Sequence, residues 1–502
     1  MENRAKIRFR FFHQNTLRKI VPIAFIKFLL SLNYALLTNL KDTMIVTSKS
    51  SGAEAIAVIK GFIILPTSIL ATIIYAKASQ RFNRKQICYS ILMIFFFFIF
   101  LYGFLLYPNI NRLSPTQSAE KLLQIFGKNY AHWIVVYQFW IHVLLFIIAE
   151  LWGSLPILFL FWNFVNDVTK VEEAKNSYFT YVAAGDIATF FSGPIVYFAI
   201  CNFGQFSFVY ATQALFVIIL INILCIVGLF HWTYKYVCTN EQKNLLAQPI
   251  KSSSPQTHRI RKPSFRESLK NLQRSKYVPH IAIIVISYGL VINLIEITWK
   301  ASVKSVYPDP SDYHLFISQT TSYVGLFSFL TALILGKSII NRLGWFFTAQ
   351  LTPFLIGFSG IFFFALLLNQ DFLSFFSRLF AFKPTIFIIS FGALQNIVSK
   401  VAKYSFFDPT KEMTFIPLNE EEKTKGKASI DIIGSRLGKT SASWIQILFM
   451  NIKGTSSVFA ITQFLLPIIL IAIIFWTNSV RMLSYLFAKP KPSITVAESE
   501  NI

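Results

Sequence analysis

The sequence predicts an all-α, polytopic membrane protein with about twelve transmembrane helices, arranged as two six-helix halves of the major-facilitator type. Three observations predict this fold class. The 502 residues are 54% apolar and include 54 phenylalanines, whereas soluble domains are about 45–50% apolar on a broader count that includes glycine. Apolar runs of roughly 18 residues or more, each long enough to cross a bilayer, recur along the chain. Lysine and arginine collect in some of the polar segments between these runs, as is typical of membrane proteins.

The apolar runs define the transmembrane spans. We predict twelve of them, near residues 21–40, 56–76, 87–107, 132–166, 177–201, 206–234, 280–299, 319–341, 345–368, 384–405, 430–450 and 457–478. The fourth run is longer than a bilayer is thick, so we expect this helix to tilt or to extend beyond the membrane.

A polar segment between the sixth and seventh spans divides the chain. It is rich in lysine and arginine and contains the run Ser252-Ser253-Ser254-Pro255, which is typical of a linker. The predicted organisation is a cytoplasmic N-terminal segment, a first six-helix half, a basic cytoplasmic linker, a second six-helix half and a cytoplasmic tail, at residues 1–20, 21–234, 235–279, 280–480 and 481–502.

The two predicted halves carry similar motifs at corresponding positions. The string D-x-T-K follows the fourth span at Asp167–Lys170 and the tenth span at Asp408–Lys411. The first span of each half is closed by a lysine, Lys41 or Lys300. Chance alone can supply a tetrapeptide, but together with the six-plus-six layout these matches favour two parallel repeats.

The distribution of basic residues predicts the orientation. The N-terminal segment, the loop after the second span and the linker hold clusters of lysine and arginine, and such clusters normally lie in the cytoplasm. With twelve spans all three fall on one side, so we predict that both termini are cytoplasmic. The net charge of +24 then reflects these loops and predicts no nucleic-acid partner, although a polyanionic substrate would also favour cations inside a transport path.

The cysteines indicate neither a metal site nor a cofactor. Cys88, Cys201, Cys225 and Cys238 are scattered and show no CxxC spacing. We interpret them as free thiols that pack like small apolar side chains, and we predict no metal and no cofactor.

Charged residues within the predicted spans are the candidate site residues, since a charge at the centre of a bilayer costs about 2.5–3.5 kcal/mol and usually serves a function. Glu296 and Lys300 lie one helical turn apart, so their charges could simply pair. For Lys60 and Lys400, which also lie near membrane depth, the long side chain favours snorkelling over a role in the site. The candidate substrate-binding residues are Lys41, Glu150, Glu296, Lys300, Arg436 and Lys439, and Asp186 is a further intramembrane acid.

The segment Gly434–Thr440 carries two of these cations on one helix face. Arg436 and Lys439 cannot pair with each other, so they require an anion, and a polyphosphate suits an arginine fork beside a lysine point charge. The segment also resembles a phosphate-binding P-loop, but it has three residues between its glycines where that motif needs four, and it begins an apolar span. We therefore predict no ATPase and no catalytic residue.

Several motifs in combination resemble the nucleotide transporter family, which comprises the ATP/ADP translocases of intracellular bacteria and plastids. The likeness runs from about residue 20 to about residue 480. It implies a nucleotide substrate, a multi-pass location in a bacterial-type inner membrane, and transport roles for Lys41, Glu150, Glu296 and Lys439. The motifs that carry it are Lys41-Asp42-Thr43, Ala149–Ser154, Glu296–Lys300, Phe407–Met413 and Lys427–Lys439.

One departure from the family pattern bears on the mode of transport. Family members exchange ATP for ADP, import nucleoside triphosphates with protons, or move NAD. Exchangers usually carry a glycine-rich stretch ending in asparagine where this chain has Tyr181–Asp186. A buried carboxylic acid can take up a proton during transport, so Asp186 is a candidate proton-coupling residue. The sequence therefore favours proton-coupled import of nucleoside triphosphates, with nucleotide exchange as the alternative.

The sequence leaves two other functional classes as alternatives. A transporter of another phosphorylated anion would need the same cations, and competition by unlabelled nucleotides would distinguish it. A membrane scaffold or enzyme without transport activity is disfavoured by the charges buried in both halves. The sequence leaves open the preferred base and the oligomeric state.

Overall fold

The computed structural model describes residues 2–49, 52–169, 171–247, 277–335, 338–415, 430 and 434–488. In these residues the chain is helical or lies in turns, and none of them forms a strand. The all-α prediction is therefore confirmed. Most of the predicted linker at 235–279 and most of the predicted tail at 481–502 lie outside the described residues.

Eleven helices in the described part of the chain are long and apolar enough to cross a membrane. The predicted eleventh span contains a further helix, α11 (Ser435–Lys453), which has a polar face. The other spans are α1 (Arg18–Val46), α2 (Glu54–Arg81), α3 (Arg84–Leu106), α4 (Trp140–Val168), α5 (Ser177–Gly204), α6 (Phe208–Val237), α7 (Val278–Val306), α8 (Pro310–Ile334), α9 (Arg342–Leu368), α10 (Pro384–Met413) and α12 (Phe459–Phe487).

The helix that contains α1 extends back to Glu2, and the helix that contains α9 is broken at Gly344, where φ is 76°. The predicted fourth span at 132–166 is wrong in its first part, because the backbone leaves helical geometry at Phe139, with ψ at 41°. An apolar run reports burial and does not reveal such a break. Shorter helices lie between the spans, at Ile110–Leu113, Thr116–Phe126, Ala131–Gln138, Asn240–Leu246 and Gln370–Leu379.

The spans differ in how far they are enclosed by their neighbours. Within the most apolar 18 residues of each helix, 56% of the residues of α1 and 67% of those of α7 are buried, compared with 28% of those of α3. The exposed side chains of α3 include Ile94 and Phe97, which suit contact with lipid. The two halves are therefore centred on α1 and α7, and these two helices position the site.

The halves meet mainly toward one end of the bundle. Here α1 ends and α2 begins, and we call it the closed end. The Trp444 indole of α11 donates to the Gly61 carbonyl of α2 at 3.1 Å. Near the middle of α5 and α8, the Ser322 hydroxyl accepts from the Gly193 amide at 2.8 Å and donates to the Phe190 carbonyl. The opposite end, which holds Arg18 and Arg81, we call the basic end.

Candidate functional site

The site begins with a stripe of side chains along α1. Lys27, Tyr34 and Lys41 are spaced seven residues apart, so they lie on one face of the helix, about 10 Å from one to the next. This face is directed between the halves, because Lys41 at its closed-end limit lies beside residues of both. Its ammonium is 3.7 Å from the centroid of the Phe146 ring, a cation–π contact that helps to hold a buried lysine in place.

A shared carboxylate joins the two halves at the closed end. Asp42 accepts from Lys41 at 2.9 Å through Oδ1 and from Lys300 of α7 at 2.7 Å through Oδ2. The side chains of all three residues are 3% exposed. Charges this deeply buried remain stable only when they are paired, and removing one partner of such a pair costs about 3–5 kcal/mol. The pairing therefore fixes the ends of α1 and α7 relative to each other.

Glu150 of α4 faces cations from both halves. Its carboxylate lies 3.1 Å from the Lys41 ammonium, and the charges of Arg436 and Lys439 on α11 act on it from the opposite half. The Arg436 guanidinium also donates to the hydroxyl of Ser154, one turn beyond Glu150, at 3.2 Å. The structure thus brings Glu150 close to the two cations that the sequence placed on one helix face.

Glu296 of α7 is surrounded by lysines. Its carboxylate lies 2.9 Å from the Lys300 ammonium, 3.7 Å from that of Lys60 and 4.0 Å from that of Lys400. Lys60 also donates to the Asn293 side chain at 2.8 Å. The expectation that Lys60 and Lys400 snorkel was wrong, because α2 and α10 turn these side chains inward, where a carboxylate is within reach.

The cluster carries an excess of positive charge. Six cations and three carboxylates meet between the halves, which leaves three positive charges uncompensated within the described residues. Lys439 is exposed, and no hydrogen bond or ion pair engages its ammonium in the described part of the chain. The site is thus chemically suited to a polyanion. The cations are Lys41, Lys60, Lys300, Lys400, Arg436 and Lys439, and the carboxylates are Asp42, Glu150 and Glu296.

Asp186 of α5 stands apart from this cluster. Its neighbouring cation is Lys27, which is fourteen residues from Lys41 on α1, or about 21 Å along the helix. The Lys27 chain packs against Gly185, where an added Cβ would lie 3.3 Å from the lysine Cε. The other candidate cation Arg436 contacts Ser154 instead. Asp186 therefore lies within electrostatic range of a cation on the basic-end side of the site.

Backbone geometry also shapes the site. Three spans adopt π-helical turns beside the charge cluster, at Ile59–Ile64, Gly153–Phe161 and Lys403–Phe407. Such turns are rare and often occur at functional sites, since they redirect the side chains next to them. The first of them presents Lys60 and the second presents Ser154. Other π-helical turns lie away from the charge cluster, at Tyr102–Leu106, Ile200–Gly204 and Thr233–Val237. Among the described residues no group of three or more His, Cys, Asp or Glu side chains could hold a metal ion.

Nearly the whole chain is similar to known transporters. A family model described as TLC ATP/ADP transporter matches residues 2–487. The chain is 34% identical over 481 residues to ADP,ATP carrier protein 1 of Chlamydia trachomatis, which covers 95% of this chain and 90% of that protein. It is 34% identical to the chloroplastic ADP,ATP carrier protein 1 of Arabidopsis thaliana, over 93% of this chain and 74% of that protein. It is 31% identical to ADP,ATP carrier protein 1 of Rickettsia bellii, over 93% of each chain.

Solved structures support the architecture. A bacterial homologue of the iron transporter ferroportin superposes with a TM-score of 0.61 at 12% identity, over 93% of this chain and 99% of that one. A POT family transporter superposes with a TM-score of 0.56 at 12% identity, over 94% and 97% of the two chains. At this identity the likeness establishes the fold alone, and that fold is the predicted major-facilitator type.

Proposed function

This chain belongs to the TLC ATP/ADP transporter family, and on that premise we propose that it exchanges ATP and ADP across a membrane by alternating access between its two halves. The observation that carries the proposal is the excess of three positive charges in the cluster between α1 and α7. The phosphates of a nucleotide carry several negative charges, which matches this excess. The curated relatives are named as ADP,ATP carriers, which supports adenine nucleotides as the substrates.

The site residues take complementary roles in this proposal. Lys41, Lys300, Arg436 and Lys439 bind the phosphates, with Arg436 supplying a planar fork and the lysines point charges. Glu150 and Glu296 balance these cations when no nucleotide is bound and contact the ribose or the base when one is. The corrected positions of Lys60 and Lys400 add two cations to the phosphate region. The protein is a carrier in this proposal, and no residue is assigned a catalytic role.

Exchange also follows from the charge of the site. A cluster with uncompensated cations is expensive to enclose away from water, and a bound polyanion removes that penalty. The carrier therefore closes around its site readily only when a nucleotide is bound. After it releases one nucleotide, it must bind another before it can change back to its first orientation. The names of the relatives favour exchange over the proton-coupled import that the sequence suggested from Asp186.

Counterflow in vesicles distinguishes exchange from proton coupling. We expect uptake of labelled ATP into proteoliposomes to require ADP or ATP inside, to ignore an uncoupler, and to persist in Asp186→Asn. Proton-coupled import predicts the reverse, namely uptake into empty vesicles that collapses with the uncoupler and is lost in Asp186→Asn. Uptake of a labelled sugar phosphate or inorganic phosphate that unlabelled nucleotides do not inhibit would indicate a transporter of another phosphorylated anion.

We further propose that the membrane is a bacterial inner membrane and that the basic end faces the cytoplasm. Tags in the 235–279 segment and at either terminus are expected to report the cytoplasm, and a tag within 108–130 the outside. The reason is that lysine and arginine near the ends of spans are retained in the cytoplasm. If the 108–130 tag and the 235–279 tag reported the same side, this topology would be wrong.

A further inference from the structure

Two tyrosines, one from each half, are exposed beside the charge cluster. Tyr34 is 37% exposed, although every other residue of α1 from 26 to 46 is buried or half-buried. Tyr404 of α10 is 46% exposed. A large ring that stays exposed in the middle of a span faces either lipid or a cavity, and the charges around it decide which.

The neighbours of both rings place them in the cavity. Tyr34 lies within electrostatic range of Glu150 in its own half, and of Glu296 and Tyr404 in the other half. Tyr404 in turn lies within range of Glu296 and of Asp186 across the cavity. A side chain that faced lipid would not approach acids of both halves. The exposed surfaces of the two rings therefore border the space between the halves.

Local packing fixes the position of each ring. A Cβ added to Gly153 of α4 would lie 3.0 Å from Cε2 and 3.4 Å from Cζ of Tyr34, so the ring rests on the backbone where the π-helical turn of α4 begins. The Lys403 ammonium lies 4.5 Å from the centroid of the Tyr404 ring and 2.7 Å from Asp408. A ring with a cation on one face keeps its other face for a stacking partner.

The tyrosines lie on the basic-end side of Lys41 and Lys400. Tyr34 is seven residues from Lys41 on α1, or about 10 Å along the helix. Tyr404 is one turn from Lys400 on α10, or about 6 Å. These separations are of the order of the length from the base of an extended nucleotide to its terminal phosphate. One nucleotide can therefore reach both the rings and the cations.

We propose that Tyr34 and Tyr404 form the base subsite, in which the planar base of the nucleotide stacks between a ring from each half. This inference rests on the proposed nucleotide transport and deepens it. A ring offers every base a π-face, so the subsite separates nucleotides from base-free phosphorylated anions, which engage the cations alone. Because each half contributes one ring, a bound base also links the two halves and favours the closed arrangement around substrate.

Paired ligands test the subsite. Tyr34→Leu and Tyr404→Leu, purified in nanodiscs, are expected to bind ATP about five- to a hundredfold more weakly than the wild type, and to bind inorganic tripolyphosphate unchanged. Tyr34→Phe and Tyr404→Phe keep the ring and are expected to bind both ligands like the wild type. The matched control is Tyr323→Leu on α8. Tyr323 is 53% exposed and is two residues from both Thr321 and Gly325 at the half interface, so it faces the other way.

Several results would overturn the proposal. They are leucine variants that bind ATP normally, leucine variants that lose ATP and tripolyphosphate to the same extent, and a wild type that does not bind tripolyphosphate. Ethenoadenosine triphosphate gives a readout that does not depend on how the variants fold. Stacking on the tyrosines quenches its emission when it binds the wild type, so unquenched binding also overturns the subsite. A wild type that neither binds nor transports any nucleotide would instead refute the proposed function.

Discussion

Replacement of Asp42 with asparagine should open the closed end of the cavity and abolish most of the exchange activity. In the folded protein this carboxylate is 2.9 Å from the Lys41 ammonium and 2.7 Å from that of Lys300, with all three side chains 3% exposed. An amide of the same shape cannot neutralise either lysine. Removing one partner of a buried ion pair costs about 3–5 kcal/mol, so α1 and α7 should separate or the whole bundle should lose stability.

Thiol labelling distinguishes these two consequences. Val303 lies three residues beyond Lys300 on α7, so the two share a helix face. Val303 is 0% exposed, so Val303→Cys reports whether the closed end admits solvent. In a background with the four native cysteines changed to serine, we expect an impermeant maleimide to label Val303→Cys slowly, and much faster once Asp42→Asn is added. A lower melting temperature without faster labelling would indicate loss of stability alone.

A matched control is available within one half. Asp408 accepts from Lys403 at 2.7 Å, but its side chain is 38% exposed and both residues lie on α10. Solvent screens such a pair, which typically contributes about 0–1 kcal/mol. Asp408→Asn should therefore leave the labelling of Val303→Cys unchanged. If Asp42→Asn behaved like Asp408→Asn, the shared carboxylate would not hold the closed end.

The fold was predictable because hydropathy reports burial in lipid directly. Runs of apolar residues located the spans, and the basic linker divided them into two halves. The break at Phe139 was not predicted, because an apolar run is equally compatible with a continuous helix and with a broken one. The low exposure of α1 and α7 was also not predictable. It depends on which helices pack around them, and a single sequence does not show which helices pack together.

The site was predictable where a charge stood alone inside an apolar run. Glu150 was visible in this way, and Lys439 was visible because Arg436 shares its helix face. The structure brings both into one cluster with Lys41 and Lys300. Asp42 was not predicted as a site residue, because it follows Lys41 at the end of a span, where charged residues are common. Lys60 was not predicted as a site residue, because the side chain of a lysine near a helix end can point either to the membrane surface or into the protein. Only the position of Glu296 on another helix decides between these two directions.

The same contacts predict that Lys439 contributes to substrate binding alone, whereas Lys41 contributes to both substrate binding and stability. Lys439 is exposed, and no hydrogen bond or ion pair engages its ammonium among the described residues, whereas Lys41 lies within 3.1 Å of both Asp42 and Glu150. Lys439→Ala should therefore remove a phosphate contact and leave the fold intact. Lys41→Ala should remove a contact and also leave a buried carboxylate without its partner.

We expect Lys439→Ala to lower the apparent affinity for ATP by about ten- to a hundredfold, since a hydrogen bond to a charged group typically contributes about 1.5–3 kcal/mol. Its melting temperature without nucleotide should match that of the wild type, and the stabilisation that ATP confers should shrink. Lys41→Ala should lose uptake at least as completely and should also melt at a lower temperature. Lys439→Arg keeps the charge and should recover part of the uptake. Near-normal uptake in both alanine variants would show that these lysines do not bind the substrate, and a low melting temperature in Lys439→Ala would show that its ammonium has a structural partner.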